Sequence, residues 1–356
     1  MPRVKQDDVF SFVKAYSSLG TIVRRPFLEE LANARGLDEM ISKLKTTSYG
    51  DEVSSIGKPL SARKVESALM ANLSIFNYRL LKHYRRPGVL EAYFERNLSW
   101  NLKMAVKGKA TGVPYEDLTD ALVLSAEELA GRRDLIVRIL SAATLEQAIS
   151  LLEDSDVYPY LSQALNAYSQ SREVSIFDLY VDRYTVGRLA DAYRSRLGRF
   201  RKYYGGRNQV VASLVAYDVD SFLITALLRG KWLDLPTAQL KVLSVPGFLV
   251  SGEAVEAMVS ANNVQAAADA LAKTPYRRMV PKVPNPEAII QGLEDAFIKR
   301  SLKMARLTFS SQPMSEPVLI GALKVKEIEV HNLATIAFGL EVGLQPTAIL
   351  GRLTFA

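Results

Sequence analysis

Apolar residues recur at three- and four-residue steps along most of the chain, and Ala, Leu, Arg, Lys and Glu, all strong helix formers, dominate between the breaks. The pattern predicts an all-α protein. From Ile328 to Gly343, the residues Val330, Leu333, Ala337 and Leu340 line a single apolar stripe. Leu98 to Val106 and Ser221 to Leu228 read the same way. Strand-like alternation is scarce. Gln209 to Tyr217, with Val210, Val211 and Val215, is the best candidate, but it lies between helical patterns without a partner strand, so helix is expected. Breaks fall at Tyr203 to Asn208 around Gly205 and Gly206, at Val245-Pro246-Gly247, and from Thr274 to Pro286, where four prolines exclude a helix interior.

Two markers repeat along the chain. The first is a Leu followed by polar residues and a Tyr: Leu44 to Tyr49, Leu271 to Tyr276, and more loosely Leu152 to Tyr158. The second is a polar and an apolar residue, two to three helical turns, then a Pro that starts a new helix: Asn101-Leu102 to Pro114, Ser221-Phe222 to Pro236, and Asn332-Leu333 to Pro346. Both agree on a period of roughly 110–120 residues, which predicts three similar helical units: 1–125, 126–245 and 246–356. Such units bury their apolar faces against neighbours, as a solenoid or, if the rotation closes, as a bowl with a pseudo-threefold axis. In the first and third copies Gly108 and Gly112 match Gly339 and Gly343; the middle copy has Leu228 and Trp232 there. Gly at C′ and Pro at N1 punctuate helices. Gly339 lies mid-helix, where Gly is unfavourable by about 1 kcal/mol relative to Ala. A neighbouring helix is therefore expected to pack over it, so that Gly339→Leu overpacks while Gly339→Ala is mild or even stabilising.

Composition narrows the chemistry. Among 356 residues there is no cysteine, which excludes disulfides, thiolate metal sites and cysteine nucleophiles. Only His83 and His331 carry imidazoles, so a multi-histidine metal centre within the chain is excluded. The longest run without a charged residue, Val157 to Ser171, is 15 residues long and rich in Ser, Gln and Asn; it is too short and polar for a membrane span. The start, MPRVKQDDVF, carries no apolar signal region, so a cytoplasmic protein is expected. The net charge of +7 suits an acidic partner or a position beside a membrane, without demanding nucleic acid.

No nucleotide loop is present: Gly108-Lys109-Ala110-Thr111-Gly112 lacks the spacing and continues a helix. Glu327 and His331, and the acidic pairs Asp7-Asp8, Glu29-Glu30 and Glu127-Glu128, read as solvated helix faces. The basic run Arg194, Arg196, Arg199, Arg201, Lys202 and Arg207 is interleaved with Phe200, Tyr203 and Tyr204 and has no acid among it. Three readings stand open for it: an exposed helix end favoured by the dipole, a grip on an acidic protein, or stacking on single-stranded nucleic acid. A second basic cluster, Lys82 to Arg86, precedes Pro87 and has the same helix-end explanation.

The ending Glu329-Val330-His331-Asn332-Leu333-Ala334-Thr335-Ile336-Ala337-Phe338-Gly339, running on to Gly343-Leu344 and Pro346, resembles the closing helix of the C subunit of archaeal-type ATP synthases, known as the d subunit in vacuolar enzymes. Tyr93-Phe94 leading to Asn101-Leu102-Lys103 is similar too, as are the length and the early Leu-to-Tyr signature. The chain departs from the pattern where Leu98 replaces an acid, and where Ser221-Phe222 replaces Asn-Leu although Asp218 keeps an acid. The resemblance implies three helical repeats around a pseudo-threefold axis forming a funnel. It implies a single-copy rotor adapter at the cytoplasmic face of the membrane, seated on the proteolipid rotor ring (the K/c subunit) and receiving the shaft of the D and F subunits. It further implies transmission of torque without catalysis or cofactor, and a structural role for Glu329, Asn332, Leu333, Gly339, Gly343 and Pro346. The alternative is a helical scaffold that binds nucleic acid through the arginine run.

Overall fold

The computed structural model describes residues 6–201 and 209–355. Among them the regular structure is helical throughout, and the strand candidate at Gln209 opens a helix. The chain forms two compact units, one holding the residues up to Thr144 and from Ala305 onward, the other Leu145–Met304.

The first unit begins with α1 (Gln6–Thr21), α2 (Arg25–Ala32), α3 (Leu37–Leu44) and α4 (Gly50–Ser54). It continues with α5 (Ala62–Lys82), α6 (Gly88–Thr111), α7 (Tyr115–Ala121), α8 (Leu124–Leu129) and α9 (Arg133–Ser141). The second unit contains α10 (Leu145–Ser150), α11 (Tyr158–Ser171), α12 (Ser175–Arg201), α13 (Gln209–Trp232), α14 (Thr237–Leu243), α15 (Gly252–Ser260), α16 (Val264–Asp269) and most of α17 (Pro286–Ser311). The chain then re-enters the first unit for α18 (Glu316–Glu341) and α19 (Pro346–Leu350).

Local chemistry sets the long helices. Ser61 caps α5, its hydroxyl accepting from the Lys64 N–H at 3.2 Å. Pro317 stands in the first turn of α18, where a missing N–H costs nothing. α18 is apolar nearly all round and buried along most of its length, packed against α1, α2, α3 and α5. The chain from Ala305 onward thus completes the core of the first unit.

Three corners share one geometry. α6, α13 and α18 each end in a left-handed residue: Gly112 (φ 69°), Asp234 (φ 52°) and Gly343 (φ 70°). The N–H groups of Val113, Leu235 and Leu344 reach back to the carbonyls of Gly108, Gly230 and Gly339 at 2.9, 2.9 and 2.8 Å. Those of Gly112, Asp234 and Gly343 donate to Lys109, Lys231 and Leu340 at 3.4, 3.2 and 3.2 Å. This paired closure satisfies carbonyls that the helix end would leave orphaned. A short helix follows each time, and its Leu118, Leu240 or Ile349 lies over Gly108, Gly230 or Gly339, leaving no room for a Cβ.

The geometry corrects the register of the middle copy. Gly230 is the counterpart of Gly108 and Gly339, so that copy keeps its packing glycine, and Asp234 takes the left-handed place. Asp tolerates that conformation better than most residues. The counterpart of Asn101 and Asn332 is Leu223, not Ser221, and the counterpart acid is Asp220, not Asp218. Pro114 and Pro236 cap their short helices, whereas Pro346 is the first residue inside its own.

Candidate interaction surfaces and buried junctions

Asn101 and Asn332 do the same work. The Asn101 amide donates to the Val123 carbonyl at 3.0 Å and accepts from the Val123 N–H at 2.7 Å. Asn332 makes the same pair with Thr354, both at 2.9 Å. Each side chain imitates a strand partner and pins the segment beyond its corner. Leu333, fully buried beside Asn332, packs the core. The Asn101 amide also donates to Glu127 at 2.9 Å, and Arg132 pairs with that carboxylate at 3.2 Å. Glu127 is fully buried, so it is not the solvated acid that its sequence suggests; a paired carboxylate is tolerated where a lone one is not.

Glu329 anchors the start of the chain to its end. Its Oε1 accepts from the Val23 N–H at 2.6 Å, and Lys326 Nζ approaches its Oε2 at 3.4 Å. The same ammonium sits 3.7 Å from the centroid of the Tyr49 ring, within cation–π range. Burial lowers the Lys326 pKa against the pull of Glu329, and burial with the nearby Glu329 charge raises that of Tyr49 well above its usual value. Asp220 plays the matching part in the second unit. It accepts from the N–H groups of Phe248 and Leu249 at 2.7 and 2.8 Å and from the Tyr276 hydroxyl at 2.8 Å. Burial raises the Asp220 pKa, opposed by these hydrogen bonds.

Tyr49 and Tyr276 are the tyrosines of the first repeated marker, both fully buried. Each turn is built alike: the Thr47 and Thr274 hydroxyls donate to the Leu44 and Leu271 carbonyls and accept from the Tyr49 and Tyr276 N–H groups. In the third copy the Ser155 hydroxyl donates to Leu152, which makes Val157, also buried, the counterpart instead of Tyr158. The acid position of the first copy is Leu98, buried among Phe94, Val123 and Ala126. The acid position of the three corners thus holds Glu329, Asp220 and Leu98, and the tyrosine position of the three turns holds Tyr49, Tyr276 and Val157.

Of the arginine run, Arg194 is part of the packing. Its guanidinium donates to the Pro246 carbonyl, lies 4.8 Å from the Phe248 ring centroid and approaches Asp191 at 3.5 Å. Arg196 is half-buried on α12. The side chains of Arg199 and Arg201, and Lys202 and Arg207 entirely, lie outside the described residues. Glu327 pairs with Lys324 at 2.7 Å, and His331 is exposed. No cluster of three or more metal-ligating side chains occurs among the described residues. No described helix is long and apolar enough to cross a membrane.

The first unit has two contrasting ends. At the N-terminus of α5, the Ala62 N–H donates to Glu341 at 2.8 Å, Arg63 reaches Met104 and lies over Phe338, and Lys64 pairs with Asp120. The first and third corners thus stand at that end, where Val113, Tyr115 and Val342 are exposed. At the C-terminus of α5 lie Arg79, Lys82, His83, Arg85 and Arg86, all exposed.

These features define an all-helical protein with recurrent cornered units, whose first and last segments pack together. Residues 20–352 match the ATP synthase (C/AC39) subunit family, and the chain belongs to that family. It is 27% identical over 329 residues to the A-type ATP synthase C subunit of Pyrococcus abyssi, covering 90% of this chain and 83% of that one. To the C subunit of Pyrococcus furiosus it is 25% identical, covering 87% and 80%, and to that of Methanocaldococcus jannaschii 22%, covering 90% and 80%.

Proposed function

We propose that the chain is the non-catalytic central-stalk subunit of an archaeal- or vacuolar-type rotary ATPase. It links the membrane rotor ring to the shaft of the D and F subunits and transmits torque. The observation that carries this reading is the packing of α18 on α1, α2, α3 and α5. A solenoid repeat touches only its sequence neighbours, so a last segment packed on the first favours three units, 1–125, 126–245 and 246–356, closed around a pseudo-threefold axis as a funnel. The three equivalent corners support the same division. So does the order of the junctions, in which Lys326 of the third repeat lies over Tyr49 of the first beside Glu329, and Tyr276 of the third repeat meets Asp220 of the second. A closed ring resists twisting better than an open stack, which suits a part that carries torque without chemistry. It would sit peripherally on the cytoplasmic side of the membrane, in one copy.

Nucleic-acid binding is disfavoured, because Arg194 is committed to packing. The test is purification of the tagged chain from detergent-solubilised membranes at native abundance. Ring and shaft subunits should copurify. Recovery of nucleic acid, or of the chain alone, would reject the reading.

A further inference from the structure

Three short helices hold one position relative to the corners. α9 packs on α6 and α7, α15 on α13 and α14, and α2 on α18 and α19. Each opens a block of the same length. From Arg133, Gly252 and Arg25, the next short helix begins twelve residues on, at Leu145, Val264 and Leu37. The turn leucine comes seven residues later, at Leu152, Leu271 and Leu44. So α2 and α3 stand to the third corner as α9 and α10 stand to the first, and as α15 and α16 stand to the second.

The blocks reach their corners by different routes. α9 and α15 follow theirs directly along the chain, whereas α2 lies far ahead of its own: Val23 and Glu329 are 306 residues apart, against 28 for Asp220 and Phe248. The fastenings differ too. At the first two corners the residue after the packing glycine is a lysine that clamps the end of the docked helix. Lys109 Nζ donates to the Ala142 carbonyl and Lys231 Nζ to the Val259 carbonyl, both at 2.7 Å. The third corner has Leu340 in that place, half-buried like both lysines. Glu329 holds Val23 ahead of α2, and Lys326 lies over Tyr49 past α3. The block is therefore pinned at its two edges, while the end of α2 lacks the ammonium that the other corners supply. Charge-assisted hydrogen bonds are the stronger kind, so their number sets how readily a segment opens locally.

We propose that α2 is a releasable clasp: its far end lifts from α18 and α19 between the pins at Val23 and Tyr49, while α9 stays docked on α6 and α7. This deepens the closed arrangement inferred above by naming the seam at which it opens. α2 and α9 belong to the same compact unit, so a difference between them is not a difference in the stability of the unit.

The test is amide hydrogen exchange of the purified full chain, read by mass spectrometry on peptides covering α2, α9 and α15 and corrected for intrinsic rates. α2 should be roughly tenfold less protected than α9 and α15. Leu340→Lys should raise protection in α2 toward that of α9, because a lysine stem already lies at this position in the other two corners. The reciprocal Lys109→Leu should lower protection in α9 and leave α2 unchanged. Protection in wild-type α2 equal to that in α9 would overturn the clasp. So would two substitutions that leave their own helices unaffected. Ring and shaft binding test the rotor reading separately, since the exchange experiment uses the chain alone.

Discussion

Adding one methyl group at Gly339 tests the corner geometry. A Cβ built there would stand 2.6 Å from Ile349 Cγ1 and 2.9 Å from its Cδ1. Carbon atoms pack best at about 3.5–4.0 Å, so the contact is roughly 1 Å too short. Ile349 is fully buried, and its branched β-carbon has little rotamer freedom to yield. Overpacking of this kind costs about 1–3 kcal/mol, against a helix-propensity gain of about 1 kcal/mol for Ala over Gly. Gly339→Ala should therefore destabilise by up to about 2 kcal/mol. This revises the mild effect expected from sequence, while the close neighbour over Gly339 is present as expected. Gly339→Leu should be worse. Ile349→Ala alone should cost about 2–5 kcal/mol, but in that background Gly339→Ala should be neutral or stabilising. The cycle should then give a coupling equal to the relieved overpacking, about 1–3 kcal/mol. The assay is guanidinium denaturation of the full chain followed by far-UV circular dichroism. An equal effect of Gly339→Ala in both Ile349 backgrounds would refute the reasoning.

Other consequences are equally measurable. Asp220→Ala strands two backbone N–H groups and the Tyr276 hydroxyl, and should destabilise by about 3 kcal/mol or more in the same assay; a cost below about 1 kcal/mol would mean the junction contributes little. The folded-state pKa of Lys326 is lowered from 10.5. Between the two values the unfolded chain binds the extra proton, so stability should rise relative to Lys326→Met as pH climbs toward 10.5, then level off; parallel urea-melt profiles for the two proteins would contradict this. Arg196→Ala/Arg199→Ala/Arg201→Ala should leave the fold intact but slow assembly with shaft or ring and flatten its salt dependence, each single change having little effect; unchanged assembly kinetics would make the run a solvated helix face. Arg194→Ala should instead loosen the segment at Pro246–Phe248, seen as faster amide exchange there; unaltered exchange would show that its contacts are incidental.

The sequence revealed the helices because apolar spacing alone dictates them, and it revealed two corners because Gly112 and Gly343 mark left-handed residues directly. The third was misread because Asp234 fills the same conformation without a glycine. Buried charge was the least legible feature. Lys326, Glu329 and Glu127 stand in polar-looking stretches, and only tertiary partners far along the chain, Val23 and Tyr49 for Glu329, Asn101 for Glu127, reveal that they are enclosed. Leu98 and Val157, each buried in its own unit, show the same limit from the other side. Two apolar residues carry no signal until the tyrosine–acid junctions elsewhere identify their positions.

The central claim is mechanical, and ATP-driven ion pumping in reconstituted vesicles tests it most directly. Vesicles carrying the ring and its stator, supplied with the catalytic head and shaft but lacking this chain, should hydrolyse ATP without pumping ions. Adding the purified chain should restore pumping. Full pumping without the chain, or hydrolysis that depends on the chain in the soluble head and shaft alone, would contradict its role as a torque-carrying link.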